Sequence, residues 1–387
     1  MANRLTERVA PVGETAIVMG IGLSKKGRLV ALRGPLAGRI SLHRLSTGDA
    51  KGLLALAERA RIAAAEARGT EVTIASCHEA GYDGFWLPRV LIAAGVENHV
   101  VDPASIHVDR RAPRVRTDRI DAQALLRTVM AHRRGEGRVW SVVQPPTPTD
   151  EDARRPHRER PNLRKERGRH VRRIRGLCAQ QGILDYAPMS ADRYQRRVEL
   201  KTGDGRQRQP RLLAGIRREL AGLEFLLEQV AELEAAPEAA IKASPGDATA
   251  PVQVQQARSL RRLIAVGPET SAVLANEVFY RRFENRRQLA GDVGLTPSPH
   301  PSGGLSREQG ISKSGKPRVR TALVEAAWLW LRHRPGSALA KWFTPRVGER
   351  RGRMRRIMIV ALARKLLVAL WRDAETGLVP TGAIRRA

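Results

Sequence analysis

Residues 15–32 read TAIVMGIGLSKKGRLVAL. Two β-prone runs, Ala16–Leu23 and Arg28–Leu32, flank a polar turn at Ser24–Gly27, and that arrangement is a β-hairpin signal. A third short run, Arg39–His43, extends the hairpin. The period then changes: Asp49–Arg68 places Ala and Leu at helical spacing until Gly69 ends the pattern. A strand at Glu71–Cys77, a Gly-bounded helix at Gly84–Ala94, a strand at Asn98–Val101 and a helix at Ile120–His132 follow. The order β-β-β-α-β-α-β-α predicts an α/β RNase H-like domain over 14–149, with its active site at the carboxyl ends of the central strands.

Beyond residue 150 the composition turns to long charged helices. Arg154–Arg175 carries eleven Arg or Lys against Glu159 and Glu166, which predicts a basic helical arm that meets nucleic acid through Arg164, Lys165, Arg169, Arg172 and Arg173. Pro156 and Pro161 should break or kink that arm, because each removes an amide donor and crowds the preceding turn. Leu213, Ile216, Leu220, Leu223, Leu227 and Val230 follow the a/d spacing of a coiled coil. The seam has two readings: an amphipathic helix lying on its own domain, or a helix that pairs with a second subunit.

Residues 150–236 thus form the arm and coiled coil, and 237–256, rich in Pro, Ala and small polar residues, a linker. A second, mostly α-helical unit covers 257–375, followed by a tail at 376–387. Leu260–Val278 reads as helix, turn at Val266–Gly267–Pro268, and helix, a helix-hairpin-helix-like element whose turn at Gly267 offers backbone N–H groups to a phosphate. A Gly- and Ser-rich stretch, Pro297–Gly315, precedes two apolar helices near Val319–Arg332 and Met354–Trp371. Trp328, Trp330 and Trp371 lie among Leu and Ala at helical spacing, as core residues do.

At 387 residues the chain exceeds one core and is read as multidomain. Its 69 Lys and Arg against 39 Asp and Glu leave a formal +30, which favours a polyanion as partner, although an Arg-rich proteome would raise the same number. No apolar run reaches the length of a membrane span and the start lacks an apolar leader, so a cytoplasmic location is expected. Cys77 and Cys178 show no metal or disulfide spacing and read as reduced thiols.

Three acids stand where chemistry needs them. Glu79 directly follows the strand ending at Cys77, and Asp118 and Asp121, three apart at a helix start, share one face. Nucleases of the RNase H-like fold converge carboxylates on Mg²⁺ for in-line phosphoryl displacement. The plainer reading makes Asp118 a helix cap and Glu79 a surface acid.

The segments MGIGLSKK, HEAGYDGFWLPRVL, VVDPASIHVDRRAPRVRTDRIDAQAL, IRGLCAQQGI, FENRRQLAGDVGLTPSPHPSGGLSREQGISKSGKPRVRTAL and IVALARKLLVALW resemble those of the DEDD insertion-sequence transposases, the IS-one-ten family. The resemblance covers nearly the whole chain. It implies a RuvC-like N-terminal domain with four acids, of which Glu79, Asp118 and Asp121 match the second, third and fourth, bound to one or two Mg²⁺ ions. The first acid, Asp in the family, is Gly22 here. It further implies a catalytic serine in the C-terminal domain, matched by Ser302 in HPSGG, that cleaves DNA through a covalent 5′-phosphoserine.

Lys313, Lys316, Arg318 and Arg320 follow that serine and are expected to stabilise the transferring phosphoryl charge. The family's partners are implied too: DNA, a structured noncoding RNA that chooses the sites, and further subunits in a dimer or tetramer. Gly22 supplies no ligand and opens a second reading, a decayed or repurposed copy that binds nucleic acid without cutting it. A host junction resolvase would share the acids but not the serine domain.

Overall fold

The computed structural model describes residues 16–386, apart from 26, 36–38, 107–116, 138, 208, 243–248, 303–304, 313 and 349–351. The chain divides into two compact units, Met1–Thr147 and Pro148–Ala387.

The first unit is a mixed sheet with helices on both faces. Its elements run β1 (Ala16–Ser24), β2 (Gly27–Arg33), β3 (Ser41–Leu45), α1 (Ala50–Arg68), β4 (Thr73–Glu79), α2 (Trp86–Ala93), β5 (Glu97–Val101), α3 (Asp118–Arg133) and β6 (Val142–Val143). The sheet order is β3-β2-β1-β4-β5-β6, with β1, β4 and β5 parallel and the other pairs antiparallel. Every element expected for this region is present within a few residues, and β6, only two residues long, is an addition.

Strand alternation decides which helix covers which face. Ile17, Met19 and Ile21 of β1 pack with Leu53, Leu56, Leu87 and Leu91 from α1 and α2. The opposite parity, Val18 with Ala75 and Cys77 of β4, packs beneath Leu125, Leu126 and Val129 of α3. On that face β1 carries Gly20, where a β-carbon would lie 2.3 Å from the carbonyl oxygen of Ala122 and 2.4 Å from the amide of Leu126. The α3 backbone therefore rests directly on the strand.

Among its described residues the second unit is helical apart from one hairpin and an isolated bridge between Leu263 and Arg385. It contains α4 (Pro148–Ala153), α5 (Arg155–Ala179), α6 (Arg193–Glu199), α7 (Pro210–Lys242), α8 (Val252–Arg262), α9 (Pro268–Glu277), α10 (Arg286–Val293), β7 (Pro297–Ser302), β8 (Leu305–Ile311), α11 (Pro317–His333), α12 (Ala338–Val347) and α13 (Arg353–Thr376). Its main core joins α8 to α13, with Trp330 fully buried and its indole N–H donating to Ser337 at 2.9 Å. Trp328 and Trp371 pack against the same core, as expected from their spacing.

Two expectations for this unit are corrected, the broken arm and the length of the linker. The arm is unbroken: Pro156 falls in the first turn of α5, where its missing N–H costs nothing, and Pro161 is carried inside the helix. The apolar seam of α7 is covered within the chain. Ile216, Leu220 and Leu223 meet Ile174 and Cys178 of α5, and Val230 meets Leu163, so the intramolecular reading holds for these residues.

The linker is shorter than expected, since α7 runs to Lys242 and α8 starts at Val252. The tail is docked: Ile264 donates to the Ile384 carbonyl, and Arg385 pairs with the buried Asp373 at 2.6 Å. Both cysteines are buried free thiols. Among the described residues no helix is long and apolar enough to cross a membrane.

Candidate active site

The carboxyl ends of β1 and β4 and the first turn of α3 meet around a cleft of about 330 Å³, lined by Gly22, Glu79, Asp118 and Asp121 together. Residues up to 99 positions apart are thus joined, because β4 lies beside β1 and α3 rests on Gly20. The cap of α3 is Thr117, whose side chain accepts from the Ile120 amide at 3.3 Å. Asp118 is therefore not the cap, and it and Asp121 both face the cleft from an exposed first turn.

The loops add two charged residues that were not singled out from the sequence, Lys25 after β1 and Asp83 after β4. Asp83 stands in the quoted CHEAGYDGFW, four residues beyond Glu79, but a loop residue has no periodicity to announce its direction. Gly22 itself has space around it. A β-carbon there would meet the Leu29 carbonyl oxygen at 3.4 Å and the Ala122 β-carbon at 3.6 Å, ordinary contact distances.

The donor chemistry suits a hard divalent cation, which takes carboxylate oxygens. Among the described residues no group of three Asp, Glu, His or Cys stands close enough to enclose a metal ion. Just behind Glu79, burial holds the His78 imidazole down at about 4, with the charge of Arg28 adding to the effect.

In the second unit, Ser302 ends β7 and pairs in register with Leu305 of β8. Lys313 lies outside the described residues. Lys316 donates to Asp292 and to the Glu277 carbonyl, both at 2.6 Å. Arg320 donates to the carbonyls of Val293 and Ser314. Arg318 stands 3.8 Å from Glu277. These three cations fasten the turn before α11 to its neighbours.

The basic arm is partly neutralised by its own unit. Arg164 stands 3.5 Å from Glu234 and 3.6 Å from Glu269, and Arg173 pairs with Glu219 at 3.1 Å, while Lys165, Arg169 and Arg172 are exposed. Gly267 is the N-cap of α9, and residues 263–267 connect it to α8. Ala265 in that turn takes a left-handed φ of 83°.

The first unit is thus mixed α/β with an acid-lined cleft, and the second is largely helical. Residues 257–341 match the model of the Transposase IS116/IS110/IS902 family. The chain is 45% identical over 376 residues to "Putative transposase y4rJ" of Sinorhizobium fredii, covering 96% of this chain and 95% of that one. It is 28% identical over 290 residues to the "Transposase for insertion sequence element IS1111A" of Coxiella burnetii, covering 73% and 72%. The chain belongs to the IS116/IS110/IS902 family of insertion-sequence transposases.

Proposed function

We propose that the chain cleaves and rejoins DNA strands for its element, with Glu79, Asp118 and Asp121 as one half of the chemistry and Ser302 as the other. The convergence of the three acids in one cleft at the strand ends carries this reading. The sheet order β3-β2-β1-β4-β5 supports an RNase H-like, RuvC-like unit, in which that position is the catalytic one.

Glu79, Asp118 and Asp121 would hold Mg²⁺, which when bound supplies charge stabilisation to a phosphoryl group. Ser302 Oγ attacks the phosphorus, the bond from phosphorus to the 3′ oxygen breaks, and that oxygen takes up the proton the serine gives away. One phosphoester replaces another, so the linkage energy is conserved and a second strand's 3′-hydroxyl can reverse the step. The reading extends to a bridging RNA and to subunits shared between sites, both drawn from the family resemblance.

Gly22 favours a second reading, a copy that binds without cutting, because glycine contributes no oxygen where the family has Asp. Strand transfer on element-end DNA with flanking RNA and Mg²⁺ tests both. A β-carbon at residue 22 makes only ordinary contacts, and Gly22→Asp is expected to raise the rate by about 10–100-fold if the missing ligand limits it. Transfer by the substituted chain alone would establish the binding-only reading for the natural one. Ser302→Ala should abolish covalent DNA attachment, and attachment that persists would overturn the serine's role.

A further inference from the structure

A groove of about 1000 Å³, larger than the acid cleft, lies in the second unit between α10, the β7–β8 hairpin, α12 and α13. Among the described residues, seven Arg and Lys side chains line it and no Asp or Glu does. Five of them, Arg353, Arg356, Arg364, Lys365 and Arg372, descend one side of α13, a stripe about 28 Å long at the helical rise. Arg286 and Arg287 face them from α10.

Among the described residues none of these seven is in an ion pair, whereas Arg160, Arg164 and Arg173 of the arm all are. The placement also runs against helix preference. The first turns of α10 and α13 are the positive ends of two helix dipoles, yet they carry Arg and no acid. Such an arrangement repels itself unless a polyanion fills the groove.

The floor selects among polyanions. Ile357, Val360, Val368 and Leu339 form it beside the Trp342 ring, over which Lys365 stands at 4.6 Å and Arg346 at 4.9 Å. A duplex presents phosphates and groove edges and has no base face to lay on an apolar floor. An unpaired strand has both phosphates and exposed bases, the combination that basic grooves with apolar and aromatic floors hold. Pro297, Gly310 and Ile311 of the hairpin that carries Ser302 form one wall, so a strand in the groove runs beside that hairpin.

We infer that this groove binds a single-stranded segment of DNA next to the hairpin of Ser302. The inference rests on the strand-cutting role proposed for that hairpin, but its test needs no cleavage. Anisotropy on the full chain would compare labelled oligonucleotides of roughly 20 nucleotides, as single-stranded DNA, the same sequence as duplex DNA, and single-stranded RNA. The combined variant Arg356→Ser, Arg364→Ser, Arg372→Ser should lose about tenfold or more in affinity for the single-stranded DNA and flatten its salt dependence. Val360→Glu, which acidifies the floor, should do likewise.

Duplex binding should change by less than about threefold. Equal losses for duplex and single strand, or no loss, would overturn the inference. So would RNA that binds more tightly than DNA and accounts for the loss, or variants that change only the subunit number by light scattering.

Photocrosslinking of the unaltered chain to an iododeoxyuridine-substituted strand guards against a folding defect. Crosslinks at Trp342 or within 353–372 support the groove, and crosslinks confined elsewhere reject it. A Ser302→Ala chain that fails to cut yet binds normally would separate failure of the chemistry from failure of the groove.

Discussion

Glu277 is 5% exposed and surrounded by cations: Arg158 donates to it at 3.2 Å, His157 stands at 3.4 Å, Arg318 at 3.8 Å, and Lys316 binds its carbonyl. Burial alone would raise its pKa, but the contacts and charges of His157 and Arg158 outweigh it and hold the group at about 2. The folded value lies below the unfolded one, so the stabilisation is complete above about pH 4.5 and is lost as pH falls towards 2. The shift corresponds to up to about 3 kcal/mol. Urea unfolding should show this acid loss in the natural chain and a flatter profile in Glu277→Gln; parallel profiles would refute it.

Two glycines of one strand parity divide the work at the acid cleft. Gly20 lets α3 lie on β1, and Gly22, two residues on, leaves open the place where the family's first acid stands. Sequence pattern exposed the second, because a carboxylate was expected there. Nothing local marked the first, whose need for hydrogen alone comes from a helix a hundred residues downstream.

Helix α7 shows how an element can be legible while its partner is not. The spacing from Leu213 to Val230 announces an apolar stripe, but any complementary stripe would satisfy it. The structure supplies one in the same chain, with α5 burying Ile216, Leu220 and Leu223. Leu220→Glu should therefore destabilise the chain by about 3–5 kcal/mol in chemical unfolding, with no change of mass by light scattering. Dissociation into stable monomers at native stability would restore the intersubunit reading.

The β7–β8 hairpin was invisible for the opposite reason. Pro297, Pro299 and Pro301 occur at every second residue, a composition that argues against a strand. In a two-stranded ribbon each strand has an outer edge that needs no partner, so a strand can carry prolines that a central strand could not.

At the scale of the molecule, the excess of cations is divided unequally. The arm's positive charge is partly returned to Glu219, Glu234 and Glu269, while the groove along α13 keeps its own. Total charge would therefore mislead about where a polyanion sits. With at least six phosphates engaged, the logarithm of the nucleic-acid association constant should fall against the logarithm of salt with a slope steeper than about −4. A slope shallower than about −2, from anisotropy titrations between low and physiological salt, would reject an electrostatic interface of this size.

The order and type of elements in the first unit, the three acids and the apolar helix faces were determined by sequence alone, because alternation and helical period are local properties written residue by residue. Tertiary structure decided what each face meets: α3 on Gly20, α7 on α5, the tail on Asp373, and four acid-cleft positions from three distant segments in one place. Those outcomes depend on which distant surfaces pack together. Local pattern cannot encode that choice, since an apolar stripe or a charge is satisfied equally by a partner in the same chain, another subunit or nucleic acid.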